Sequence, residues 1–193
     1  MSIHLLEAVQ QNLGYPALQK IDPNTQQVAL SEKNPAEDKF SQAAIPAVLT
    51  GLYKYVQSNE GAEEFLRGEN SPNWVARIFA DHKKEVIQTI SSYAMQPGED
   101  PVEEMNTIAN EAVRVVKGNL PPDATVKEVK FYFSNQRNNI LLYLLPELSM
   151  GELLHDPGLD DKTNKMEGPI SSLMKTIGAA FSSPVMDEEV KNS

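Results

Sequence analysis

The stretch Ile45-Pro46-Ala47-Val48-Leu49-Thr50-Gly51-Leu52 has an echo at Leu145-Pro146-Glu147-Leu148-Ser149-Met150-Gly151. In both, an apolar residue precedes a proline, an aliphatic residue sits two beyond it, and a glycine follows five beyond it. Each adjoins a strongly apolar run, Ala43-Ala44-Ile45 in the first and Ile140 to Leu145 in the second. A proline inside a helix loses one backbone hydrogen bond and clashes with the carbonyl four residues back, at a cost of about 3 kcal/mol. It survives where surrounding packing outweighs that cost. The two stretches therefore predict two proline-containing core helices, kinked or broken, in an all-α, multihelical single domain. So few shared positions are weak evidence of duplication, because each is also a way to end an apolar helix.

Working outward, residues 3–13 place Ile3, Leu6, Val9 and Leu13 near one helical face, with Gly14 as a stop. Tyr15-Pro16 opens a short turn carrying Leu18 and Ile21, and Asp22-Pro23 opens another brief segment. Residues 31–38 are polar and turn-like. From about Glu37 a longer helix is predicted through Phe40, Ala44, Val48, Leu52 and Val56. Asn59 is the expected N-cap of a helix over Glu60 to Arg67, ended by Gly68, with early acids and a late arginine suited to the helix dipole. Ser71-Pro72 repeats a cap-then-proline signal ahead of Trp74, Ile78 and Phe79. A further helix from about Asp81 uses Val86, Ile87, Ile90 and Tyr93, and Gln96-Pro97-Gly98-Glu99 is a turn. Asp100-Pro101 with Glu103 and Glu104 marks the clearest helix start, with Gly118 closing that helix.

Thr125 to Phe133 is ambiguous. Val129, Phe131 and Phe133 alternate like a strand, whereas Val126, Val129 and Phe133 suit a helix. Helix is favoured, because an isolated strand has no partner. Ser134 or Asn135 is then the expected cap of the second proline-bearing helix. The domain is expected to span 2–154. Residues 155–168, charged and punctuated by Gly and Pro, read as a polar linker. Within 169–181, Ile170, Leu173, Met174, Ile177 and Phe181 fall at i, i+3, i+4, i+7 and i+11, predicting an amphipathic C-terminal helix and a candidate interaction stripe. Residues 182–193 read as a disordered acidic tail.

The chain has 193 residues, a net charge of −10 and no cysteine. A globule of this length buries roughly 70% of the surface its unfolded chain exposes, so it needs neither metal nor disulfide for stability. Phosphate backbones would be repelled over most of such a surface, and the densest basic cluster, His82-Lys83-Lys84, is followed at once by Glu85. Nucleic-acid binding is not expected. The start, Met1-Ser2-Ile3-His4-Leu5-Leu6-Glu7, lacks a basic leader and reads as no signal peptide. The longest apolar run, Ile140 to Leu145, falls far short of the ~20 residues that span a bilayer. A soluble, cytoplasmic protein without membrane insertion is the expectation.

At the two proline stretches, together with Asn59-Glu60-Gly61 and Leu144-Leu145-Pro146, the sequence resembles the YidB-like family of small bacterial proteins of unknown function. The resemblance rests on residues 42–66 and 139–151. This chain departs from that family in lacking glycine-rich low-complexity stretches and in carrying charged helices between the motifs and a C-terminal extension. The resemblance implies an all-helical fold and implies no activity.

Chemical motifs are sparse. Glu152-Leu153-Leu154-His155 has the Glu-x-x-His spacing of carboxylate-bridged di-metal bundles, which need two such motifs and two further glutamates. No second motif exists, so no metal and no cofactor is expected, and His155 reads as a helix-end residue. Adjacent acids such as Glu63-Glu64, Glu103-Glu104 and Glu188-Glu189 point about 100° apart on a helix and do not share a site. No serine lies in a Gly-x-Ser-x-Gly elbow, and three histidines give no triad pattern. The cluster Asn135-Gln136-Arg137-Asn138-Asn139 has two readings, a pocket mouth or a set of caps and turn residues.

Three functions stay open. The first is a non-catalytic interaction domain, binding a protein partner or self-associating. Second is a small-ligand-binding domain with an apolar pocket and polar contacts from Arg137, Asn139 and Tyr132. The third is an enzyme using His155 or His82. A pocket with convergent polar groups favours the second, and an acid hydrogen-bonded to a histidine there favours the third.

Overall fold

The computed structural model describes residues 4–21, 36–68, 73–94 and 100–159, all within one compact unit that covers residues 1–162. The helices are α1 (Leu5–Asn12), α2 (Ala36–Tyr55), α3 (Asn59–Arg67), α4 (Trp74–Phe79), α5 (Lys83–Ala94), α6 (Pro101–Asn119), α7 (Val126–Leu141) and α8 (Met150–Leu153). Short 3-10 turns occupy Ala80–His82, Pro146–Leu148 and Pro157–Leu159. Among the described residues there is no strand, so the fold is all-α, and no helix is long and apolar enough to cross a membrane.

α2 is the axis. Every residue from Phe40 to Leu52 is buried, and α1, α4, α5, α6 and α7 all pack on it. A helix apolar on all sides belongs in the interior. Pro46 lies inside it, and the helix runs on through the proline unbroken. The missing N–H costs about 3 kcal/mol, whereas burying Ile45, Val48, Leu49 and Leu52 contributes about 1.5–3 kcal/mol for each. Packing wins comfortably. The Thr50 hydroxyl donates to the Pro46 carbonyl at 2.7 Å, so this buried side chain is satisfied within its own helix. Gly51 does not end the helix, which continues to Tyr55. A Cβ at Gly51 would stand 2.8 Å from Phe79 Cε1, so the glycine admits α4 against α2.

The echo does not form a second such helix. α7 ends at Leu141, and Pro146 begins the 3-10 turn Pro146–Leu148 outside it. Leu145 is extended (φ −68°, ψ 130°), the conformation a following proline favours. The Leu142 carbonyl, freed by the end of α7, accepts the Ile21 N–H at 2.8 Å. Leu144, Leu145 and Leu148 are nonetheless buried, so the apolar run belongs to the core without belonging to a proline-bearing helix.

Other expectations shift for local reasons. Val126 to Leu141 is one continuous helix, so Ser134 and Asn135 lie mid-helix on its exposed side and cap nothing. Its start is fixed by the Glu128 carboxylate, which accepts from the Thr125 backbone N–H (2.7 Å) and hydroxyl (3.0 Å). These bonds hold the Glu128 carboxyl below the usual range. Val129 and Phe133 face the core while Phe131 faces out, as helical periodicity requires. Ser58, not Asn59, caps α3, its hydroxyl accepting the Gly61 N–H at 2.9 Å. α6 runs through Gly118 to Asn119. Residues 15–21 form no helical turn, because the Gln42 amide binds the Gln19 N–H and carbonyl at 2.8 and 2.9 Å and holds that segment irregular.

Two helix starts are satisfied from elsewhere in the core. The buried Asn106 of α6 accepts the Val75 N–H of α4 at 2.9 Å, and Gln136 of α7 accepts the Leu5 N–H of α1 at 3.1 Å. The first residues assigned to a linker are packed instead. Leu159 is fully buried, Asp156 pairs with Lys54 at 3.0 Å, and Arg137 Nη2 donates to the Gly158 carbonyl at 2.7 Å. The rest of the expected linker, the 169–181 helix with Ile170, Leu173, Met174, Ile177 and Phe181, and the 182–193 tail lie outside the described residues. So do Asp22-Pro23, Ser71-Pro72 and the 96–99 turn.

Two helical glycines are expected to respond oppositely to alanine. At Gly61 a Cβ would sit 2.1 Å from the Tyr55 carbonyl oxygen, whereas at Gly118 it meets nothing within 4 Å. Gly61→Ala should cost about 2–3 kcal/mol, and Gly118→Ala should add about 0.5–1 kcal/mol. Urea denaturation of the two variants checks both signs.

Candidate functional site

A cleft of about 360 Å³ is lined by His82, Glu85, Thr89, Glu147, Leu148, Ser149, Glu152, Leu153 and His155. Two stretches build it. One is the 3-10 turn Ala80–His82 running into α5, which contributes His82, Glu85 and Thr89. The other runs from the Pro146–Leu148 turn through α8 to His155. Leu148 and Leu153 are buried beneath the polar groups, so the charged rim stands on an apolar base.

The His82 and His155 rings meet edge to face, with centroids 5.4 Å apart and planes at 77°. His82 Nδ1 lies 3.9 Å from Glu85 Oε2, outside hydrogen-bonding range. Among the described lining residues the charged groups are Glu85, Glu147 and Glu152, with no lysine or arginine. Burial, and then the nearby Glu147 charge, push the Tyr93 phenol of α5 up. No group of three or more His, Asp or Glu among the described residues is arranged to hold a metal. Carboxylates accept hydrogen bonds and cannot donate them when ionised, so this cleft offers acceptors and negative charge to an occupant.

Backbone strain gathers at the same place. Among the described residues, the non-glycine positions with positive φ are Ala80 (43°), Ser149 (44°) and His155 (52°). Ala80 opens the turn that delivers His82, and the other two line the cleft. Such conformations cost about 1–3 kcal/mol each and persist where surrounding structure over-determines them.

The convergence of His82 with His155 has no signature in the sequence, where the two lie on separate elements. Glu152 and His155 do share the cleft, though not through a common helix face: α8 ends at Leu153, and His155 lies beyond it with positive φ. Tyr132, Arg137 and Asn139 are not brought together. On a helix Arg137 lies about 140° round from Tyr132, and Asn139, seven positions from Tyr132, shares its direction only two turns further along, about 10 Å away, so the three do not converge. Arg137 is engaged by the Gly158 carbonyl. Asn139 borders a separate cleft of about 40 Å³ with His4, Leu6, Glu7, Lys20, Leu142 and Tyr143. Tyr132 packs edge to face on Phe133 at 6.1 Å, and burial pushes its phenol up.

Replacing strained residues by glycine should release the stored cost. Ala80→Gly and Ser149→Gly are each expected to stabilise the fold by about 1 kcal/mol, the gain from φ exceeding glycine's entropy penalty. Thermal and urea melts measure this, and a loss of stability in both variants would contradict the backbone assignment. Set against family models, curated proteins and solved structures, the chain matches none of them.

Proposed function

We propose that the chain is a ligand-binding helical domain whose cleft between His82 and His155 takes a small organic cation with more than one N–H donor. The observation that carries this is the lining itself: three carboxylates border about 360 Å³ with no lysine or arginine among them. A concave site of one charge sign, set on an apolar base, focuses its field on a counter-charged solute. Two ammonium groups on a short alkyl chain fit that arrangement, with the chain over Leu148 and Leu153 and each end against a carboxylate.

The 3.9 Å separation of His82 and Glu85 favours binding over acid–base chemistry, because neither group positions the other for proton transfer. This reading places the ligand in the polar cleft and not at Arg137, Asn139 and Tyr132, the residues the sequence offered. The YidB-like resemblance implies no activity and does not choose between these readings.

The test is titration of the full chain with 1,4-diaminobutane, followed by calorimetry and by the imidazole NMR signals of His82 and His155. Saturable binding that weakens with added salt is expected. Glu147→Gln and Glu152→Gln should each weaken it by about fivefold, the equivalent of ~1 kcal/mol for an ion pair. Equal binding of succinate, or no saturation by the diamine, would defeat the proposal.

A further inference from the structure

We propose that His82 and His155 form a proton-operated latch in the cleft, closed while both imidazoles are neutral and parted when both are protonated. Its consequence for a ligand rests on the cation-binding reading above: acidification expels the bound cation. The rings come from the two stretches that build the cleft, His82 from the turn ahead of α5 and His155 from the chain just after α8. They meet edge to face, with centroids 5.4 Å apart. That arrangement suits neutral rings, because the positive edge of one lies on the negative face of the other. Two imidazolium ions at the same separation repel. Histidine is the side chain that ordinarily changes charge between pH 5 and 8. Water reaches both rings, since His155 is exposed and the His82 side chain is 35% accessible.

The surrounding charges decide what replaces the contact. Glu85 of α5, Glu147 of the Pro146–Leu148 turn and Glu152 of α8 line the same cleft, and Glu85 Oε2 already stands 3.9 Å from His82 Nδ1. Cations on the neighbouring elements are engaged elsewhere. Lys54 of α2 pairs with Asp156, Arg77 of α4 with Glu64 and the Trp74 ring, and Arg137 of α7 with the Gly158 carbonyl. Asp81, Lys83 and Lys84 flank His82 in the chain and do not line the cleft. Within the cleft, then, a charged ring finds carboxylates to turn to and only the other imidazole to turn from.

The same protons cancel the attraction for a cation. With both rings neutral, three carboxylates are free to receive a ligand; with both charged, two of those negative charges are answered from within the chain. A diammonium ligand must then compete with the protein's own imidazoliums. The coupling is reciprocal, so a cation that favours neutral rings also drives protons off them. The motion stays local. Asp156 and Gly158 are pinned immediately beyond His155, so the side chains rotate apart while the backbone holds.

Two measurements on the full chain test this. The first needs no ligand: the nuclear Overhauser effect between the His82 and His155 ring protons should be present at about pH 8 and lost at about pH 5.5, a range set by imidazoles because carboxylates ordinarily titrate near 4. The second is calorimetric titration with 1,4-diaminobutane, which carries both charges at either pH. Its affinity should fall about tenfold on acidification, the loss of roughly two exposed ion pairs. In the double variant His82→Asn, His155→Asn the affinity should no longer change between the two values. Asparagine suits position 155 because it tolerates the positive φ found there. A ring contact that persists at the lower pH would overturn the proposal, as would diamine affinity indifferent to pH or falling equally in the double variant. If the diamine binds at neither pH, the reading of the cleft as a cation site fails, and the ring contact alone decides the latch.

Discussion

A helix buried on every side imposes its demands on everything around it. From Phe40 to Leu52, α2 has no solvent face on which to place a polar group or an unpaired carbonyl. Its neighbours must present apolar side chains in all directions, which is why Leu5, Val9, Phe79, Val86, Ile90, Met105 and Phe133 are all fully or almost fully buried. The few polar groups on α2 are answered locally. Thr50 bonds back to Pro46, and Gln42 turns both ends of its amide on the backbone of Gln19. Gly51 removes the side chain that would hold α4 off. Pro46 is tolerated because the surrounding burial exceeds the lost hydrogen bond severalfold.

Packing short helices around such an axis leaves several helix ends inside the protein, where water cannot pair the first N–H groups. This chain solves that with amide side chains reaching from neighbouring helices. Asn106 serves α4 and Gln136 serves α1, and each bond also fixes one helix relative to another. The amide-rich run on α7 is thereby divided by helical geometry. Gln136 points inward as a surrogate cap, Arg137 pins the chain at Gly158, and Asn135 and Asn138 remain on the outer face.

The cleft depends on the same framework. Lys54, near the end of α2, pairs with Asp156, the residue after His155. With Arg137 holding Gly158 and Leu159 sunk in the core, the chain on the C-terminal side of His155 is held in three places. That anchoring is the physical means by which a non-glycine residue keeps a left-handed conformation. It also keeps the second imidazole against the first, so the acidic cleft is built by packing that begins at the central helix.

Local signals in the sequence determined a good deal of this. The apolar periodicities of residues 3–13, 37–56 and 100–118 place real helices. Asp100-Pro101 starts one because its carboxylate accepts the Val102 N–H at 2.9 Å, a contact made between near neighbours in the chain. Burial of Val48 and Leu148 was legible in the apolar runs beside them. Tertiary structure decided what depends on residues far apart. Pro146, read as lying inside a helix, stands outside one, because α7 ends at Leu141 and the chain turns before the proline. The meeting of His82 with His155 arises because α8 and α5 lie against a common core, and no spacing within either segment encodes that. Periodicity reports which face of an element is buried, since neighbours in sequence set it. Which elements then stand side by side is settled only when the whole chain closes on α2.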